Sequence, residues 1–64
     1  MNGTVREFDE AQGLGVIATA DGNSFAFHCI EIADGTRTID AGQAVSFRPL
    51  PRFGAFQAGA IEKR

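Results

Sequence analysis

Apolar residues along the chain recur at every second position in short runs, and no stretch carries a helix-length repeat of 3.6 residues. Gly3-Thr4-Val5-Arg6-Glu7-Phe8 reads as a first strand, followed by a turn over 9–13. A second strand covers 14–19. Asp21-Gly22 then marks a hairpin, since both residues tolerate positive φ. The third strand covers 24–29 and sets Phe25 and Phe27 on one face, Ala26 and His28 on the other. Residues 30–40 are irregular, with room for one helical turn at 30–33 and a turn at Asp34-Gly35. After Ala41-Gly42, a fourth strand over 43–48 aligns Val45 with Phe47. Residues 49–54 read as a loop, because Pro49 and Pro51 cannot both sit in a central ladder. A fifth strand covers 55–61, and Glu62-Lys63-Arg64 forms a charged end.

Five short strands with glycine-rich turns predict an all-β barrel, since closure removes exposed sheet edges. Val5, Ile17, Phe25, Phe27, Val45, Phe47 and Ile61 are the expected core. At 64 residues the chain makes one small domain over 1–64, and its core must be modest. A lone Cys29 leaves no disulfide to help and fits a reducing cytoplasm. No apolar run approaches the roughly 20 residues of a membrane span. Met1-Asn2-Gly3-Thr4 lacks the basic and apolar regions of a signal peptide. Net charge is −2, against the usual habit of nucleic-acid binders. The charge is uneven, however. Residues 1–32 carry Arg6 against Glu7, Asp9, Glu10, Asp21 and Glu31, a net of −4. Residues 33–64 carry Arg37, Arg48, Arg52, Lys63 and Arg64 against Asp34, Asp40 and Glu62, a net of +2.

The residues resemble a known family. Gly3-Thr4-Val5-Arg6 and Phe8-Asp9, followed by Gln12-Gly13-Leu14-Gly15-Val16-Ile17, resemble the opening G-x-V-K-W-F-N and K-G-F-G-F-I of the cold-shock domain. Phe25-Ala26-Phe27-His28-Cys29 stands where that family has V-F-V-H-F. Gly35-Thr36-Arg37-Thr38-Ile39, Gly42-Gln43-Ala44-Val45-Ser46-Phe47 and Gln57-Ala58 follow in register. The resemblance spans essentially the whole chain. It implies a five-stranded antiparallel OB-type barrel that binds single-stranded RNA or DNA by stacking bases on surface rings, with basic side chains near the phosphates.

Carried over residue by residue, that platform is depleted. The family Trp falls at Glu7, and family Phe positions fall at Leu14, Val16, Ala26, Cys29 and Thr36. Phe8 and His28 are the retained rings. Arg6 keeps the basic position before the Trp, while Gln12 replaces a Lys. A stacked base is worth about 1–3 kcal/mol, so several lost stacks remove more than ~10³-fold in affinity. The resemblance therefore implies weak or altered binding through Arg6, Phe8, Gln12, Leu14, Val16 and His28.

Arg37, Arg48, Arg52, Phe53 and Phe56 add an aromatic and basic group in the second half. Phe53 and Phe56 admit two readings, a relocated stacking site or a cap on the core. His28 likewise is either a base contact or an exposed strand histidine. The alternative function is a protein-interaction module that has lost nucleic-acid binding and docks a partner through Leu14 and Val16, where aliphatic residues replace rings. A monomer is expected. One Cys and one His supply no metal-ligand spacing, and no cofactor motif stands out. His28 and Cys29, as adjacent strand residues, should face opposite ways, which argues against a nucleophile pair and against an enzyme.

Overall fold

The computed structural model describes residues 1–52 and 55–64, and side chains outside residues 52–56. Five strands, β1 (Asn2–Asp9), β2 (Leu14–Ala18), β3 (Ser24–His28), β4 (Ala44–Arg52) and β5 (Ala55–Lys63), close into a barrel in the spatial order β1-β2-β3-β5-β4. A 3-10 turn at Cys29–Glu31 follows β3, one residue earlier than the sequence suggests. The fold is the expected all-β barrel with one departure from antiparallel pairing. β3 meets β5 in parallel through Ala26 and Gln57, and Ile32 forms a parallel bridge to Ile61. The long connection after β3 crosses over rather than turning back, so β5 runs in the same direction as β3.

All seven expected core residues are buried, joined by Ile32, Ile39 and Ala58. Phe25 and Phe47 pack with ring centroids 5.0 Å apart at 57°, a tilted geometry that suits their quadrupoles. Ile32 and Ile39 belong to the irregular crossover, where no two-residue period announces a buried side chain. At the β2–β3 hairpin only Gly22 takes positive φ, +89°. Asp21 instead accepts hydrogen bonds from the Thr19 hydroxyl and from Asn23, which hold its carboxyl below the usual carboxylate range.

Two features of strand register position the functional face. On β1, Val5 pairs with Ile17 but Glu7 pairs with Val16, so Arg6 is an extra, bulged residue. A strict alternation would place Glu7 on the same side as buried Val5. The bulge reverses the alternation, sets Glu7 outward beside Val16, and turns Phe8 inward over Gly15.

The second feature corrects the loop expected over 49–54. β4 continues through both prolines, with Pro49 opposite Ala58 and Pro51 opposite Phe56. Met1 and Phe47 exchange backbone hydrogen bonds, each 2.8 Å, which shows that Phe47 faces β1. Two-residue alternation aims Pro49 and Pro51 at the same edge, beyond the point where β1 pairing has stopped. Their missing N–H groups therefore break no ladder. Proline is confined to edges, and β4 becomes an edge here.

Candidate nucleic-acid interface

The outer face of β1, β2 and β3 is built from matched rows. Glu7, Val16 and Ala26 lie across one row, and Asp9, Leu14 and His28 across the next. A shallow pocket of about 430 Å³ opens here, lined by Glu7, Phe8, Asp9, Leu14, Gly15, Val16, Ala26 and Phe27. Leu14 is 46% exposed. Phe8 is half-buried and lies parallel to Phe27, with centroids 5.8 Å apart and planes at 6°. Its ring is thus backed by the core while still lining the pocket.

Two glycines make this surface possible. Gly13 sits at φ +69°, accepts a 2.7 Å hydrogen bond from the Cys29 N–H, and would bring a Cβ within 2.8 Å of the Cys29 sulfur. Gly15 lies under the Phe27 ring, where a Cβ would come within 2.4 Å of Cζ. Glycine permits both approaches because it carries no Cβ.

His28 is exposed and caps the 3-10 turn, its Nδ1 accepting from the Ile30 N–H at 3.4 Å. In the neutral ring an accepting Nδ1 leaves the proton on Nε2. The Cys29 sulfur lies 3.8 Å from the same Nδ1, closer than strand alternation predicts. The reason is that β3 ends at His28, and the tight turn brings the next side chain round.

The other sequence-predicted residues are more dispersed. Arg6 is exposed and reaches the Ser24 hydroxyl at 3.4 Å. Gln12 lies in the β1–β2 turn, where its N–H and that of Ala11 donate to Asp9 Oδ1. Arg37 sits in the crossover at φ +58° and does not line the pocket. Arg52 ends β4 and Phe56 lies in β5, while Phe53 lies outside the described residues. The pocket also contains Glu7, Asp9, Gly15, Ala26 and Phe27, which were not selected as site residues from sequence. The bulge brings Glu7 among them, in agreement with the family resemblance, which sets Glu7 at the platform Trp position and Ala26 at a platform Phe position. Within β1 the sign of it is Phe8, an apolar residue one step out of the alternation begun by Val5. Ile30, 63% exposed, adds a further apolar side chain two residues beyond His28.

A family model described as the 'Cold-shock' DNA-binding domain matches residues 1–63. The chain belongs to the cold-shock domain family. Nucleic-acid binding is accordingly its function. This cold-shock domain is 43% identical over 47 residues to Cold shock protein 1 of Lactiplantibacillus plantarum, covering 72% of this chain and 71% of that protein. It is 44% identical over 48 residues to Cold shock-like protein CspD of Vibrio cholerae, covering 72% and 63% respectively. Among solved structures, drosophila Unr CSD456 superposes with a TM-score of 0.76 at 25% identity, covering 98% of this cold-shock domain and 26% of that chain. Its strand topology thus recurs as one part of a longer protein.

Proposed function

We propose that this cold-shock domain binds single-stranded RNA or DNA weakly, through the outer face of β1, β2 and β3. The observation that carries the reading is the pocket of Phe8, Leu14, Val16 and Phe27. It offers apolar surface to a base but one ring backed by another where the family platform has several. His28 Nε2–H adds a donor beside Leu14, and Arg6 and Gln12 are further polar candidates outside the pocket lining. Arg37, Arg52, Phe53 and Phe56 are the further basic and aromatic residues that the sequence offers for phosphates and bases. The domain acts as a binding module in the cytoplasm, as a monomer and without a cofactor.

Amide shifts of isotope-labelled protein, titrated with oligo-T and oligo-U at low and moderate salt, test this directly. Salt-sensitive shifts at residues 14–16 and 28 are expected, because releasing counterions into more concentrated salt gains less entropy and phosphate contacts weaken. His28→Ala and Arg6→Ala weaken binding. Leu14→Phe with Val16→Phe restores two stacks at about 1 kcal/mol each and raises affinity about 30-fold. Unchanged affinity in all of these variants would sink the reading.

The exposure of Leu14 and Ile30 favours a second reading, in which the same apolar face docks a protein. That contact would be insensitive to salt and would leave the oligonucleotide titration flat.

A further inference from the structure

We propose that Glu7 reads the base held in this pocket and selects guanine. The inference rests on the proposed nucleic-acid binding and adds a base preference to it. The bulge at Arg6 is its starting point, since it makes the Glu7 carboxylate part of the pocket wall beside Phe8 and Val16. The pocket has a second carboxylate, Asp9, but its Oδ1 already accepts the N–H groups of Ala11 and Gln12. Glu7 is exposed and has no ion pair or side-chain hydrogen bond among the described residues. Among the described residues it is the pocket carboxylate with both oxygens uncommitted, in a pocket otherwise formed largely by apolar side chains and a glycine.

An ionised carboxylate only accepts hydrogen bonds. Guanine carries N1–H and the 2-amino group side by side on its Watson–Crick edge, a spacing that two carboxylate oxygens match together. Adenine and cytosine offer one exocyclic amino group next to an acceptor nitrogen. Uracil and thymine offer a single N–H between two carbonyls, which the carboxylate repels. Single-stranded bases are open to reading on this edge. The charge that disfavours a passing phosphate thus favours one base edge over the others.

The test uses fluorescence anisotropy of labelled oligo-T heptamers carrying a central guanine or a central inosine, which lacks the 2-amino group, at about 50 mM salt. The wild-type chain should bind the guanine heptamer about tenfold more tightly, the lower part of the range for a paired contact because Glu7 is exposed. Glu7→Gln, with one acceptor and one donor, should reduce the ratio to about twofold and leave the unsubstituted heptamer bound at least as well. Glu10→Gln, which alters an exposed carboxylate outside the pocket lining, should keep the ratio. Circular dichroism verifies that each variant is folded.

Equal binding of the two heptamers by wild type would overturn the proposal, as would a ratio unchanged in Glu7→Gln. If both heptamers still shift the amides of Leu14 and Val16 in that case, nucleic-acid binding stands and only the base preference falls. Absence of binding by any heptamer up to about 1 mM, a free energy of about −4 kcal/mol, would overturn both.

Discussion

At the scale of single residues, Gly15 is the position where the pocket floor and the core compete for the same space. An added methyl would lie 2.4 and 2.6 Å from Phe27 ring carbons and 2.9 Å from the Glu7 carbonyl oxygen. Gly15→Ala should therefore destabilise the domain by about 2–3 kcal/mol, visible as a lower urea midpoint, and a neutral result would mean the ring can move aside. Asp34 supplies a prediction in pH. Its carboxylate accepts the Thr36 N–H at 3.0 Å and the Thr36 hydroxyl at 2.8 Å, and pairs with Lys63 at 3.1 Å. These bonds, those of Thr36 foremost, pull its pKa from 3.8 down to about 2. A depressed acid contributes stability above its unfolded pKa and loses it as pH falls through the folded one. The carboxyl carbon of Asp34 should titrate near pH 2, and Thr36→Ala should move that midpoint toward 3.8. Much at this scale was legible beforehand: alternation alone found Val5, Ile17, Phe25, Phe27, Val45, Phe47 and Ile61. Ile32 and Ile39 were not legible, because their burial comes from where the crossover lands and not from any local period.

At the scale of elements, β4 separates what a propensity rule says from where it applies. Pro49 and Pro51 are compatible with a strand because β1 has ended alongside them, and pairing partners are invisible in a single sequence. The prolines also leave this edge without N–H donors to offer another chain. Pro49→Thr with Pro51→Thr should retain the barrel yet self-associate at high concentration, measured by sedimentation velocity. A strictly monomeric double variant would show that the edge is guarded by something else. The candidate site was legible in the same partial way. Matching motifs set Leu14, Val16 and His28 on one face, with Glu7 in the place of the family Trp, but the inward turn of Phe8 and the bulged position of Arg6 depend on strand register, which a single sequence does not display. The proximity of Cys29 to His28 was missed for a related reason, since the strand stops one residue sooner than its apolar pattern does.

At the scale of the whole molecule, a 64-residue chain depends on few buried side chains. Small cores supply about 3–5 kcal/mol of stability, and removing a buried isoleucine costs about 2–5 kcal/mol. Ile61 is fully buried next to the parallel seam that closes the barrel. Ile61→Ala should lower Tm by at least about 10 °C in a circular dichroism melt. A smaller drop would place the burden of closure elsewhere. The barrel order itself was legible only through family resemblance, since five strands can be wound in several ways and alternation does not rank them. Closure also gives the bulge at Arg6 a meaning for the entire shell. It acts on β1 as a single inserted letter acts on a message read in twos, exchanging inside for outside in everything downstream. Were Arg6 to pair as an ordinary strand residue, a carboxylate would turn toward the core and an aromatic ring into water, whereas excising Arg6 would leave Glu7 outside and Phe8 inside.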